Sequence, residues 1–261
     1  MTSSEKYSEA PINNNDLSCD KIFSNDISIL QKKNGYRFNS DSMVLSWFIY
    51  NSVKGKKLKR ALEIGSGTGI IPIVLIKRGL RTPIDCIEIQ ESLFNVLEIN
   101  IKNNCLTEYL FPQRYDFRNF ADITEKKYDL IFTNPPYFGI NDGKISEKME
   151  KAVAKHEFFG SVSDFINLSE KLLIPGGHFI FIYPLSRIQN AFFSLKKHFA
   201  LKEMFLIREN PVSAPSSMCV HLIFKGENKV ARTDLITIRD ESGNYSKTGI
   251  EIMYDNFNIE K

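Results

Sequence analysis

From about residue 61 the chain alternates between short apolar runs and stretches whose apolar residues recur at helical spacing. Ala61–Ile64 reads as a buried strand and Ile70–Lys77 as the start of a helix. Pro83–Glu88 is a second strand, followed by a helix from Ser92 to about Asn103. Strands fit Leu110–Tyr115 and Tyr128–Thr133. A helix fits Val162–Leu173, closed by Pro175-Gly176-Gly177, and Gly177–Tyr183 is a continuous apolar strand. Leu185–Phe199 returns to helical spacing, and the strands Leu201–Arg208 and Cys219–Lys225 flank a Pro/Ser-rich loop, Asn210–Ser217. Strands separated by helices predict βαβ units, hence an α/β fold: a doubly wound, mainly parallel seven-stranded sheet with helices on both faces. The last two strands have no helix between them, which makes one strand near the C-terminus antiparallel.

Four segments follow from this pattern. Residues 1–20 are polar, rich in Ser and Asn, and read as a disordered tail. Residues 21–60 form an N-terminal extension, with a strand-like stretch at Ile27–Gln31, a turn at Asn34-Gly35 and a helix over Met43–Tyr50 capped by Ser40 or Asp41. Residues 61–226 are the core, and residues 227–261 an appendage of the same domain.

Composition adds limits rather than direction. Hydrophobic residues are 43% and charged residues 25% of the 261, as in ordinary globular proteins. The net charge is +3, compatible with a polyanionic partner without requiring one. Cys19, Cys86, Cys105 and Cys219 are scattered, with no ligand-like spacing to the four histidines, so no metal is expected. The first residues lack the basic-then-apolar pattern of a secretion signal, and no apolar run reaches the roughly 18 residues of a membrane span. The chain reads as a cytoplasmic monomer with no membrane partner.

Candidate chemistry sits at two strand ends. Glu63-Ile-Gly65-Ser-Gly67-Thr-Gly69 follows the first core strand and opens a helix, the usual nucleotide position in such a sheet. The spacing differs from a dinucleotide fingerprint: a carboxylate precedes the turn. It would repel a pyrophosphate but favour an ammonium or sulfonium. Glu88 ends the second strand, 23 positions after Gly65, where a carboxylate takes ribose hydroxyls. Asp116, after the third strand, can accept from an adenine amino group. The three acids describe a site for a nucleoside without phosphate, as S-adenosylmethionine requires.

The second strand end is Thr133-Asn134-Pro135-Pro136-Tyr137-Phe138. Two prolines end the ladder and stiffen the chain. The Asn134 side-chain oxygen and the Pro135 carbonyl can hold the two N–H bonds of an aromatic amine and stabilise charge that develops on it. Tyr137 or Phe138 can stack on a base. Two basic stretches are either solvated surface or phosphate contacts: Lys54, Lys56, Lys57, Lys59 and Arg60, and the Lys144–Lys155 loop interleaved with Glu147 and Glu150.

Glu63–Gly69 with Asn134–Tyr137 resembles the class I amino-methyltransferases acting on adenine, guanine or glutamine amides, and leaves the substrate open among them. Three further stretches are similar to the bacterial tRNA(Val) adenine-N6 methyltransferases: Ile29–Leu45 with Gly35-Tyr36-Arg37-Phe38 at its centre, Lys155-His156-Glu157, and Ile238–Ser246. Lys155 departs from the arginine usual there. The resemblance runs from about residue 21 to the C-terminus. It implies S-adenosylmethionine as cofactor, held by Glu63, Gly65, Gly67, Glu88 and Asp116, with Phe38 closing over it. It implies tRNA as substrate, with Asn134, Pro135 and Tyr137 holding the target base and Pro136, Phe138, Lys155 and His156 beside it. The rivals are a release-factor glutamine-N5 methyltransferase, a ribosomal RNA guanine-N2 methyltransferase, and a non-catalytic RNA-binding protein on the same scaffold.

Overall fold

A computed structural model describes residues 16–23, 26–33, 37–135, 162–189, 198–227 and 231–254. The core begins with β3 (Ala61–Ile64), α2 (Ile70–Lys77), β4 (Ile84–Glu88), α3 (Glu91–Asn103), β5 (Leu110–Arg114), α4 (Phe117–Ile123) and β6 (Tyr128–Thr133). After the loop come α5 (Val162–Leu172), β7 (Leu173–Pro184), β8 (Phe199–Arg208), β9 (Ser217–Phe224), β10 (Arg232–Thr237) and α6 (Lys247–Tyr254). They build one eight-stranded sheet in the order β10-β8-β9-β7-β6-β3-β4-β5. Strands β3 to β7 pair in parallel, and β9 is antiparallel to both β7 and β8. The expected doubly wound sheet is present, with β10 as an eighth strand parallel to β8.

Both faces of the sheet are covered, so strand residues alternate between two cores. Leu130, Phe132, Ile180 and Ile182 pack with α1 (Ser40–Val53), α2 and α3. Ile131, Phe179 and Phe181 pack on the other side with α4 and α5, where Phe117 stacks on Phe165 at 4.5 Å.

The first strands, β1 (Leu17–Ile22) and β2 (Ile27–Lys32), form a separate antiparallel hairpin. Residues 17–20, read above as tail, are thus strand. The reason is tertiary: Asn100 and Asn104, one turn apart at the end of α3, offer side-chain amides to the β2 edge. Leu30 N donates to Asn100 Oδ1 at 2.8 Å, and Asn104 Nδ2 donates to Ser28 O at 2.8 Å. Helix α1 starts at Ser40 rather than being capped by it, since Asn39 occupies the cap position with extended backbone. Pro175-Gly176-Gly177 lies inside β7, where the ladder to β6 shifts register between Tyr128 and Leu130. The predicted helix after Leu185 begins as a single tight turn, Leu185–Arg187, and residues 190–197 lie outside the described set. At the far end of α2, the buried Arg78 guanidinium donates to Ile252 O of α6 at 2.9 Å and lies 5.1 Å over the Phe23 ring. It ties the hairpin and the C-terminal appendage to the core. Among the described residues no helix is long and apolar enough to cross a membrane.

Under α1, His178 Nδ1 and His221 Nε2 share a hydrogen bond of 2.8 Å. Burial pushes His178 down to about 4 and His221 down to about 2, with Lys56 and Lys202 adding repulsion. Asp129 favours the charged form of His178 only weakly, and Glu203 Oε1 stands 3.9 Å from His221 Nδ1. Both imidazoles are therefore neutral in the fold and protonate near pH 6.5 once unfolded. Their contribution to stability is complete above pH 6.5 and is lost as pH falls from there towards 4. Urea unfolding at pH 7 and 4.5 should show this loss as roughly 3–5 kcal/mol for the two groups together, and His178→Gln should remove about half of it; an unchanged pH slope in that variant contradicts the assignment.

Candidate active site

The chain reverses direction across the sheet between β3 and β6. From β3 it winds outward through β4 and β5, then returns to β6 and β7 on the other side. Ligands in such sheets bind outside the carboxyl ends of the strands at this switch point. The glycine turn follows β3 there, and Asn134 follows the adjacent strand β6, in parallel register with Glu63 opposite Phe132. Thr133 Oγ1 donates to Ile64 O at 2.8 Å, which clamps the two strand ends together.

Gly65 N and Ser66 N both donate to Ile87 O at 2.9 Å, so the turn is pinned to β4. Gly65 and Gly67 have φ of 74° and 55°, and a Cβ on either would meet nothing within 4 Å. Open space lies above them. Gly69 serves packing instead, because a Cβ there would stand 2.5 Å from Leu97 Cδ1 on α3. The Glu88 carboxylate accepts from Gly67 N and Gln90 N, each at 2.8 Å. Burial raises its pKa while those backbone donors oppose the rise. The Ile89 backbone and the Gln90 side chain also bear on it, so ribose hydroxyls would take the place of part of this set. Glu63 is 1% exposed, and its Oε2 has no hydrogen-bond partner among the described residues. Burial holds its pKa well above the carboxylate range. A buried orphan oxygen of this kind is costly without a donor, and an ammonium group reaching the turn supplies one. Open space above the glycines and a buried orphan acceptor beside them fit S-adenosylmethionine.

Asp116 carries a role the sequence did not show. It caps α4, accepting from Arg118 N at 3.0 Å, and pairs with the Arg118 guanidinium. Phe38 is partly buried against the α1–α3 core, and its backbone N donates to Gln31 Oε1 at 2.8 Å. Pro135 is buried and Asn134 half-buried at the end of β6. Pro136, Tyr137, Phe138, Lys155 and His156 lie outside the described residues.

Two further residues join the site. Asn134 Nδ2 lies 3.4 Å from Ser42 Oγ, in the first turn of α1. That turn is itself fixed by Ser217 Oγ, which donates to Asp41 Oδ1 at 3.3 Å. An amide whose nitrogen is held by a hydroxyl presents its oxygen away from that hydroxyl. Asn100 Nδ2 donates both to Leu30 O and to Thr68 O, at 3.0 and 2.9 Å, which joins the hairpin to the glycine turn. Neither partnership is local in sequence, so no motif announces it. Ser42→Ala should lower kcat about 3- to 10-fold with KM for cofactor unchanged, as removal of one net hydrogen bond allows, and Ser42→Thr should restore it. An equal loss in both variants would reduce Ser42 to packing.

Such a site is built for a nucleoside that carries a cation, and the sheet around it is that of the class I methyltransferases. A model of the methyltransferase small domain matches residues 44–207, and the chain belongs to that family. Among curated proteins, the tRNA1(Val) (adenine(37)-N6)-methyltransferase of Flavobacterium psychrophilum is 24% identical over 86% of this chain and 94% of its own length. The protein of the same name from Trichodesmium erythraeum is 29% identical over 62% of this chain, an alignment that spans 66% of that protein, just under two thirds. Among solved structures, a Listeria monocytogenes protein described as a class I S-adenosylmethionine-dependent methyltransferase superposes with a TM-score of 0.58. It shares 14% identity, and the match covers 86% of this chain and 74% of that one.

Proposed function

We propose that this enzyme methylates the exocyclic N6 amine of an adenine in tRNA, the adenine beside the anticodon of a valine tRNA. The observation that carries the reading is Asn134 at the end of β6, clamped beside the glycine turn and anchored through Ser42. The names of the curated relatives supply the base and the RNA.

When bound, S-adenosylmethionine supplies an electrophilic methyl on sulfonium: the S–C bond breaks as the N–C bond forms, and one amine proton passes to solvent. Glu63 would accept from the cofactor's ammonium, Glu88 would take the ribose hydroxyls, and Asp116 would accept from the adenine amino group by giving up part of its pairing with Arg118. The hairpin and α1 adjoin the site through Asn100 and Ser42, and Phe38 would close over the cofactor. Asn134 Oδ1 and Pro135 O accept the two N–H bonds of the target amine. They bias the nitrogen towards tetrahedral geometry and stabilise its growing charge. Tyr137 and Phe138 stack on the base, worth roughly 1–3 kcal/mol, while Pro136 stiffens the loop and Lys155 and His156 hold the neighbouring backbone. Fixing the amine in line with the methyl supplies much of the remaining acceleration.

The test in cells is direct. Valine tRNA from a strain lacking this protein should contain no N6-methyladenosine, and the wild-type gene should restore it where an Asn134→Ala copy does not. Modification that persists in the deletion strain overturns the assignment.

A further inference from the structure

The sheet has a second edge, opposite the catalytic crevice, where β3 and β6 begin and β9 ends. Lys54, Lys56, Lys57 and Lys59 lie in the connector between α1 and β3. All four are exposed, and none makes an ion pair among the described residues. The nearby Asp129 makes no ion pair with them; its Oδ2 accepts from Lys59 N and Arg60 N at 3.0 Å each. The cationic surface continues sideways. Lys127 Nζ donates to Lys171 O at 2.6 Å, in the last turn of α5. Lys171 and Lys225 then flank a cavity of about 550 Å³ at the end of β9, where Glu170 is paired with His198. Lys56 and Lys202 both bear electrostatically on His178, which places the connector and the start of β8 around one point.

Unpaired lysines on neighbouring loops repel one another, and the fold gains nothing from the repulsion. A repeating polyanion is the partner that such a surface complements. The chemistry favours a nucleic-acid backbone over a lipid surface. A membrane-seeking basic segment interleaves exposed Trp, Phe or Leu on an amphipathic helix. These lysines sit on strand-end loops, and of the large exposed apolar side chains only Ile123, at the end of α4, stands at this end of the sheet among the described residues, where a membrane segment needs several. The two edges are separated by the length of β6, six residues, or roughly 20 Å. A folded RNA is long enough to touch both.

We propose that this edge is a second RNA-binding surface, gripping the sugar-phosphate backbone of the substrate away from the nucleotide that enters the crevice. The inference rests on the reading of the substrate as tRNA. It assigns the connector lysines to a distal anchor, separate from the base-holding residues after β6.

The experiment compares full-length tRNA with a short stem-loop that contains the target adenine. Fluorescence anisotropy is run across a salt series, and methylation is measured on both RNAs. The variant carries Lys54→Gln, Lys56→Gln, Lys57→Gln and Lys59→Gln, and a second variant carries Lys57→Gln with Lys225→Gln. The fourfold change should weaken full-length tRNA binding at least about tenfold near 0.1 M salt and flatten the log–log salt slope by about 3. The double change should give a smaller loss in the same direction. Binding and kcat/KM on the stem-loop should stay within about twofold of wild type, the scatter expected where no contact is removed. Unchanged tRNA affinity in both variants, or an equal loss on the stem-loop, would overturn the distal anchor. So would a variant that loses binding to phosphatidylserine vesicles but keeps tRNA. Failure of wild-type enzyme to methylate either RNA is a different result, which removes the substrate reading itself.

Discussion

Asn134→Ala is expected to lower kcat by about 100- to 1,000-fold, the cost of removing one preorganised acceptor from a charge-developing centre. The Kd for S-adenosylmethionine should change little. The two effects separate because the strand end does not depend on the Asn134 side chain. Thr133 Oγ1 still holds Ile64 O, and Gly65 N and Ser66 N still hold Ile87 O. The cofactor cradle therefore survives while the acceptor for the amine is gone. Calorimetric titration of cofactor beside single-turnover methylation measures both quantities. A parallel fall in cofactor affinity would mean that Asn134 supports the cradle and not the amine.

Glu88→Ala gives the converse pattern. The carboxylate does two things at once: it faces the space above the glycine turn, and it fixes that turn by accepting from Gly67 N and Gln90 N. Its loss removes charge-assisted hydrogen bonds worth about 1.5–3 kcal/mol each and frees a turn whose glycines already have wide conformational choice. Cofactor Kd should rise about 100-fold or more, two such bonds' worth, with kcat at saturating cofactor reduced far less. Glu88→Gln, which keeps one acceptor oxygen, should fall between wild type and alanine. Unchanged Kd in the alanine variant would place the ribose elsewhere.

What the sequence disclosed was local. Glycines at Gly65 and Gly67 adopt positive φ because the chain must reverse between β3 and α2, and that demand is written in residue type. Pro135 lies just past the end of β6 for an equally local reason, since proline cannot donate to the ladder. The alternation of Leu130, Ile131 and Phe132 between two cores is likewise visible as an unbroken apolar run. What stayed hidden depends on distant partners. Residues 17–20 look like the polar tail before them, and are strand because they pair with β2, whose other edge is held by Asn100 and Asn104, 70 and 76 positions from Leu30 and Ser28. Ser42 meets Asn134 across 92 positions. β10 reads as polar because four of its six residues are exposed at the sheet edge. Asp116 shows the reverse case: its position was legible, yet its pairing with Arg118 was not. The basic connector, too, looked the same in sequence whether it lay beside the crevice or across the sheet from it.

The central claim concerns which atom receives the methyl group. tRNA isolated from cells lacking this protein is incubated with the purified enzyme and methyl-labelled S-adenosylmethionine, then digested, and the nucleosides are separated by mass. Label is expected in N6-methyladenosine, absent with Asn134→Ala. Label in N2-methylguanosine, or label that appears only in the glutamine of an added release factor, would contradict it.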